Sequence, residues 1–232
     1  MTTQDIRASM VEAARSLFAR GLTHGSTGNL SVRDGDRILV TPTGGSLGSL
    51  TEDALSTIDL AGRHLDGPKP SKEAFLHAAM LRARSDDRAV VHTHSTYAAA
   101  VSCLDGLDPA NVLPPLTAYF AMRVGRLPLL PFHAPGDTAL EPLAERMAAD
   151  RHALLLSNHG PVVSGRSLSA ALDAIEELEE TAKLFLLLDG RPVRLVPPEH
   201  QTSGRRSPAR PPGRPPARRE PPAPTAPPYT KE

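Results

Sequence analysis

Ala89-Val90-Val91-His92-Thr93-His94 is the stretch whose reading decides the fold of this chain. Three small or branched apolar residues in a row suit a strand buried on both faces, and the polar residues that follow close it. A helical pattern stands just before it. Pro70-Ser71 reads as a helix start with Ser71 as N-cap, and Phe75, Leu76, Ala79 and Met80 recur at the spacing of one helix face.

The same alternation continues outward in both directions. Leu30, Val32 and then Ile38, Leu39 and Val40 flank Asp34-Gly35-Asp36, a hairpin signal. Ile6, Met10, Ala13, Leu17 and Phe18 make a first amphipathic helix that Gly21 stops. Residues 128–132 and 153–157 read as strands, and Pro135-Gly136-Asp137 turns into a helix from about Thr138. Leu168, Leu172, Ile175, Leu178, Ala182, Phe185 and Leu186 form the stripe of a long last helix, with a Glu-rich face opposite and Gly190 at its C-terminal cap. Strands and helices interleave with no internal repeat, so residues 1–199 read as one layered α/β domain.

Composition limits the alternatives. The 232 residues carry 26 Lys+Arg and 26 Asp+Glu, one Cys, no Trp and 24 Pro. Collagen, coiled coil and disulfide scaffold are excluded, and 40% apolar residues suffice for a substantial core. No apolar run approaches the roughly 20 residues that span a bilayer, and the N-terminus has no basic stretch followed by an apolar one, so a cytoplasmic protein without membrane association is expected. The balance of charge hides a division. Residues 201–232 hold seven Lys/Arg, two Asp/Glu and ten of the prolines, with no Val, Ile, Leu, Met or Phe. Residues 200–232 are therefore expected to be a disordered Pro/Arg-rich tail on a mildly acidic body. An acidic body without a basic aromatic surface argues against nucleic acid as a partner.

Side chains two apart on a strand share a face, so His92 and His94 could reach one metal ion; two hydrogen-bonded structural histidines would give the same pattern. A third candidate is His159, where Leu154-Leu155-Leu156-Ser157-Asn158-His159-Gly160 again ends an apolar run in a histidine. Three imidazoles with an open fourth position are the donor set of a catalytic zinc site, and no Cys cluster offers a structural one. Glu73, in the first turn of the Ser71 helix, gains from the helix dipole; facing a metal, it could move protons or serve as a fourth ligand. Three segments could hold an anion: Gly25-Ser26-Thr27-Gly28-Asn29, Thr41-Pro42-Thr43-Gly44-Gly45, and Ser71-Lys72 at a helix start. The glycines fit neither a dinucleotide fingerprint nor a P-loop.

In order, Gly28-Asn29-Leu30-Ser31, Thr41-Pro42-Thr43-Gly44, Ser71-Lys72-Glu73, His92-Thr93-His94 and Asn158-His159-Gly160 form a series that resembles the class II aldolase/adducin family over about residues 5–190. The resemblance implies a three-layer α/β/α domain with a mostly antiparallel central sheet. It also implies a homotetramer with sites at subunit interfaces, and one divalent ion per subunit, usually Zn2+, with Mn2+ or Co2+ as alternatives. Carried over residue by residue, it makes His92, His94 and His159 metal ligands and Glu73 the acid/base residue that can also touch the metal. Asn29, Thr43, Gly44 and Ser71 become phosphate and substrate contacts and Tyr119 a proton donor; Ser26, from the first anion-holding segment, and Lys72 are expected beside them.

Sugar-phosphate aldolases of the family usually carry Ser-Ser-Glu, whereas this chain has Ser71-Lys72-Glu73, a cation where an acidic substrate group could sit. With His24-Gly25-Ser26, Leu113-Pro114-Pro115 and Met122-Arg123-Val124-Gly125, the chain is similar to the family's decarboxylating branch, whose substrate is a phosphorylated 3-oxo four-carbon sugar acid. Decarboxylation and retro-aldol cleavage of a ketose 1-phosphate share an enediolate, so a fuculose- or ribulose-phosphate type aldolase or epimerase is the alternative. Adducin-like members instead serve as interaction modules, and the retained histidines and Glu73 speak against that role here.

Overall fold

Alternate residues of the central strands enter two different cores, and this sorts the molecule into layers. The computed structural model describes residues 2–201. Its strands are β1 (Asn29–Asp34), β2 (Arg37–Val40), β3 (Ser56–Asp59), β4 (His64–Asp66), β5 (Ala89–His92), β6 (Leu129–Leu130), β7 (Ala153–Leu156) and β8 (Gly160–Gly165). They form one sheet in the order β4-β3-β2-β1-β5-β8-β7-β6, antiparallel throughout except for the parallel pair β6–β7.

On one face, Leu30, Val32, Val91, Leu155 and Val163 pack under α1 (Thr3–Ala19), α3 (Thr96–Ser102), α4 (Ala118–Arg123) and α6 (Leu168–Leu187). On the other, Ile38, Val40, Val90, Leu154 and Val162 pack under α2 (Ala74–Ala83) and α5 (Glu141–Asp150). Two helical layers around a mostly antiparallel sheet make the α/β/α architecture that the motif series implies. No helix among the described residues is long and apolar enough to cross a membrane.

The β1–β2 hairpin closes through Gly35 and Asp36 with Asp34 opposite Arg37, and Gly35 supplies the positive φ of 61° that such a turn needs. Elsewhere the elements depart from expectation for identifiable reasons. The strand expected over 128–132 shrinks to Leu129–Leu130 because Pro128 and Pro131 on either side cannot donate to a ladder. The helix expected from Thr138 begins as a 3-10 turn, Thr138–Leu140, capped by Asp137, and becomes α-helical only at Glu141.

The helix expected to start at Ser71 starts at Ala74, which puts Glu73 at the N-cap position instead of in the first turn. Ser71 still serves this start, its hydroxyl accepting from the Glu73 N–H at 3.2 Å. The Glu-rich face of α6 is not wholly solvated: Glu179 is buried, and its two oxygens accept from the Tyr97 and Ala98 amides at 2.9 and 2.8 Å. The expected Pro/Arg-rich tail lies outside the described residues beyond Gln201.

Candidate metal centre

Three strand ends and one helix start meet at one end of the sheet. Asn29 opens β1 opposite His92, which closes β5, and Val162 of β8 lies on the other side of His92. β5 ends at His92, so His94 lies past the strand and reaches the site through the loop and not by strand alternation. His159 sits in the β7–β8 turn behind Asn158, whose φ of 54° reverses the chain. That turn lies so close to the His92–His94 segment that a Cβ on Gly160 would come within 2.3 Å of the Thr93 carbonyl oxygen, so only glycine fits. α3 holds the turn from below: the Asn158 N–H donates to the Ser102 carbonyl and the His159 N–H to the Ser102 hydroxyl.

These constraints bring one donor atom each from Glu73, His92, His94 and His159 within 4.8 Å of one another. His159 Nε2 lies 3.0 Å from His94 Nε2 and 3.3 Å from His92 Nε2. Glu73 spans two imidazoles, Oε1 at 3.3 Å from His159 Nε2 and Oε2 at 3.5 Å from His92 Nε2. His92 is oriented by its partner: Nδ1 lies 2.8 Å from the Pro161 carbonyl, which can only accept, so Nδ1 carries a proton and Nε2 is turned toward the cluster.

Burial, with His92 and the other imidazole beside it, lowers His94 to about 3; burial and His92 lower His159 to about 4, so both are neutral at physiological pH. Burial alone would raise the Glu73 carboxyl, yet His92, His159 and the Asn29 amide, which donates to Oε2 at 2.9 Å, hold it down at about 2. A carboxylate oxygen and three imidazole nitrogens converge here, and an N3O set is one that a divalent metal ion fits.

The remaining candidates divide. Pro42 bridges Pro70, the Ser71 N–H donates to the Thr41 carbonyl and the Thr43 N–H to the Lys69 carbonyl, which lays the Thr41–Gly45 loop alongside the Ser71 turn. Those two amides are thereby taken. The helix start thus offers an anion less than its sequence suggested, while the Thr43 hydroxyl and the Gly44 and Gly45 amides are not committed to the hydrogen bonds that dock this loop. Lys72 is exposed beside Glu73, with its stem against Gly136 and its charge near enough to disfavour protonation of His159. Ser26 lies in an exposed turn, whereas Asn29 is buried with its amide committed to Glu73. Tyr119 is not brought to the cluster. It is 58% exposed on α4, which packs against α6, and its ring lies 5.0 Å from the Arg123 guanidinium.

Sequence reading passed over His77, Glu179 and Ser102. The available signal was the spacing of His77, one helical turn beyond Glu73, within a run that otherwise reads as core.

A carboxylate and three imidazoles at one end of an antiparallel sheet, between two helical layers, define a metal-site protein of the class II aldolase type. The chain belongs to the class II aldolase and adducin N-terminal domain family, whose pattern matches residues 8–186. It is 49% identical to the 3-oxo-tetronate 4-phosphate decarboxylase of Haemophilus influenzae, over 84% of this chain and 94% of that one. It is 36% identical to the L-fuculose phosphate aldolase of Methanocaldococcus jannaschii, over 78% of this chain and 96% of that one. Among solved structures it resembles YgbL of Escherichia coli, described as a putative aldolase/epimerase/decarboxylase, with TM-score 0.82 and 46% identity, covering 85% of this chain and 96% of that one.

Proposed function

We propose that this protein is a metal-dependent carbon–carbon lyase that converts 3-oxo-tetronate 4-phosphate to dihydroxyacetone phosphate and CO2 in the breakdown of four-carbon sugar acids. The observation that carries the reading is the intact Glu73/His92/His94/His159 cluster in a chain 42–49% identical to relatives named for that decarboxylation. Three relatives named as aldolases stand at 34–36%.

When the C1–C2 bond breaks, its electron pair stays on C2 and spreads onto the C3 carbonyl oxygen as an enediolate; a proton delivered to C2 completes the product. A divalent ion held by His92, His94, His159 and Glu73, which we take to be Zn2+ with Mn2+ or Co2+ as substitutes, supplies positive charge against that developing oxyanion. Because Glu73 is held as a carboxylate, its role is to take up and pass on a proton through a water it orients, and Asn29 keeps that carboxylate in place. Thr43, Gly44, Ser71 and Ser26 offer hydroxyl and amide donors to the phosphate, and Lys72 offers its charge. His94 and His159, held neutral, stay free of competing protons.

The resemblance also supports a homotetramer. Tyr119, outside the cluster of its own chain and exposed, would meet a site only across an interface between copies, and there it would act as proton donor. A cytoplasmic location accords with the lone Cys103. The second reading, an aldolase or epimerase on a fuculose- or ribulose-type phosphate, draws on the same cluster and on the likeness to the fuculose phosphate aldolase; it differs in releasing an aldehyde or epimer. Following CO2 from the acid and aldehyde from ketose 1-phosphates on one preparation separates the two.

A further inference from the structure

Two hydrogen bonds tie β1 to α2, one at the metal cluster and one a step behind it. Asn29 and Ser31 stand two apart on β1 and face α2, while Leu30 and Val32 enter the opposite core. Glu73 and His77 stand four apart at the start of α2 and so share a helix face. Two strand residues advance about 6.6 Å and four helical residues about 6 Å, so the two pairs fall into register. The first rung is Asn29 Nδ2 to Glu73 Oε2 at 2.9 Å, the second His77 Nδ1 with the Ser31 hydroxyl at 2.8 Å.

His77 is fully buried, and its Nε2 has no hydrogen-bond partner among the described residues. Burial lowers it to about 3, so it is a neutral imidazole. Leucine would remove the unpaired Nε2 but leave the buried Ser31 hydroxyl without its partner, one unpaired polar atom exchanged for another, so stability alone does not favour histidine here. Glu73, for its part, makes no capping hydrogen bond with its side chain, and its own helix does not orient the carboxylate.

We propose that His77 is a positioning residue for Glu73: with Ser31 it sets the rotation and height of α2 against β1, and so holds the Glu73 carboxylate between His92 and His159. Its effect on turnover rests on the decarboxylase reading, whereas its effect on metal binding does not.

The test uses the full chain with His77→Leu, His77→Asn and Ser31→Ala, read by thermal melting of the metal-free protein, by Co2+ affinity and visible spectrum, and by turnover. In His77→Leu the melting temperature is expected to stay about level while Co2+ affinity falls about 10-fold or more and the cobalt spectrum shifts. Turnover should fall through kcat with KM held. Ser31→Ala should reproduce the metal effect, the double variant should be no worse than His77→Leu, and His77→Asn, which keeps a polar atom near Nδ1, should recover part of it. Cobalt affinity and spectrum unchanged in Ser31→Ala and in either folded His77 variant would overturn the proposal, whatever happens to melting. If wild type released no CO2 while the variants still shifted the cobalt spectrum, the reaction would be wrong and the positioning role would stand.

Discussion

At the scale of the residue, His94 and His159 are kept neutral in the fold although each unfolded imidazole titrates near 6.5. Between about pH 6.5 and 4 the unfolded chain therefore binds more protons than the folded one, so the metal-free protein loses stability as the pH falls through that window. Melting curves from pH 7.5 to 4.5 check this, and a melting temperature flat across the window would contradict it. The same neutrality makes metal binding nearly proton-free. At pH 5.5, calorimetry in buffers of different ionisation heat should find no more than about one proton released per ion, where three ordinary imidazoles would release more than two. These ligands were legible in sequence because each sits where an apolar strand or a helix start gives way to polar residues. His77 and Glu179 were not, because a histidine in an apolar helical run reads as core and a glutamate among glutamates reads as a solvated face. What gives each its role is a partner distant in sequence, Ser31 for one and the start of α3 for the other.

At the scale of the element, the site depends on tight contacts between turns. Gly160→Ala would drive a methyl group against the Thr93 carbonyl, and that backbone can yield only by moving His94. The variant should lose at least 10-fold in metal affinity and melt lower, whereas Asn158→Gly, at a φ that glycine accepts freely, should keep both. Glu179→Ala removes both acceptors at the start of α3 and should cost about 2 kcal/mol, a drop of several degrees in melting temperature. Denaturant titration checks the size, and a loss below about 0.5 kcal/mol would show that the buried carboxylate contributes little. The β1–β2 hairpin was readable because Asp-Gly between apolar runs is a local signal. β8 was not, since it opens Gly160-Pro161 and reads as a turn. It stands as an interior strand because the Pro161 carbonyl, the group His92 needs, is retained even though the proline has no N–H to give.

At the scale of the whole molecule, the chemistry gathers at one end of the sheet, where β1 begins, β5 ends and the β7–β8 turn folds back beneath the start of α2. Two helical layers cover the faces of the sheet, and it is at this end that we propose Ser26, Thr43, Gly44 and Lys72 receive a phosphorylated acid. If the homotetramer forms, light scattering should give the mass of four chains at micromolar concentration, and a monomer at full turnover would leave Tyr119 without a catalytic role. The reaction we propose for this end of the sheet is release of CO2 by way of an enediolate. The most direct test gives zinc-loaded protein 3-oxo-tetronate 4-phosphate and follows CO2 and dihydroxyacetone phosphate together, with Glu73→Gln alongside. Equal yields of both products, reduced about 10²- to 10⁴-fold in a Glu73→Gln protein that still holds zinc on its three histidines, are predicted. No CO2 from the acid, with aldehyde released from a ketose 1-phosphate by the same preparation, would contradict it.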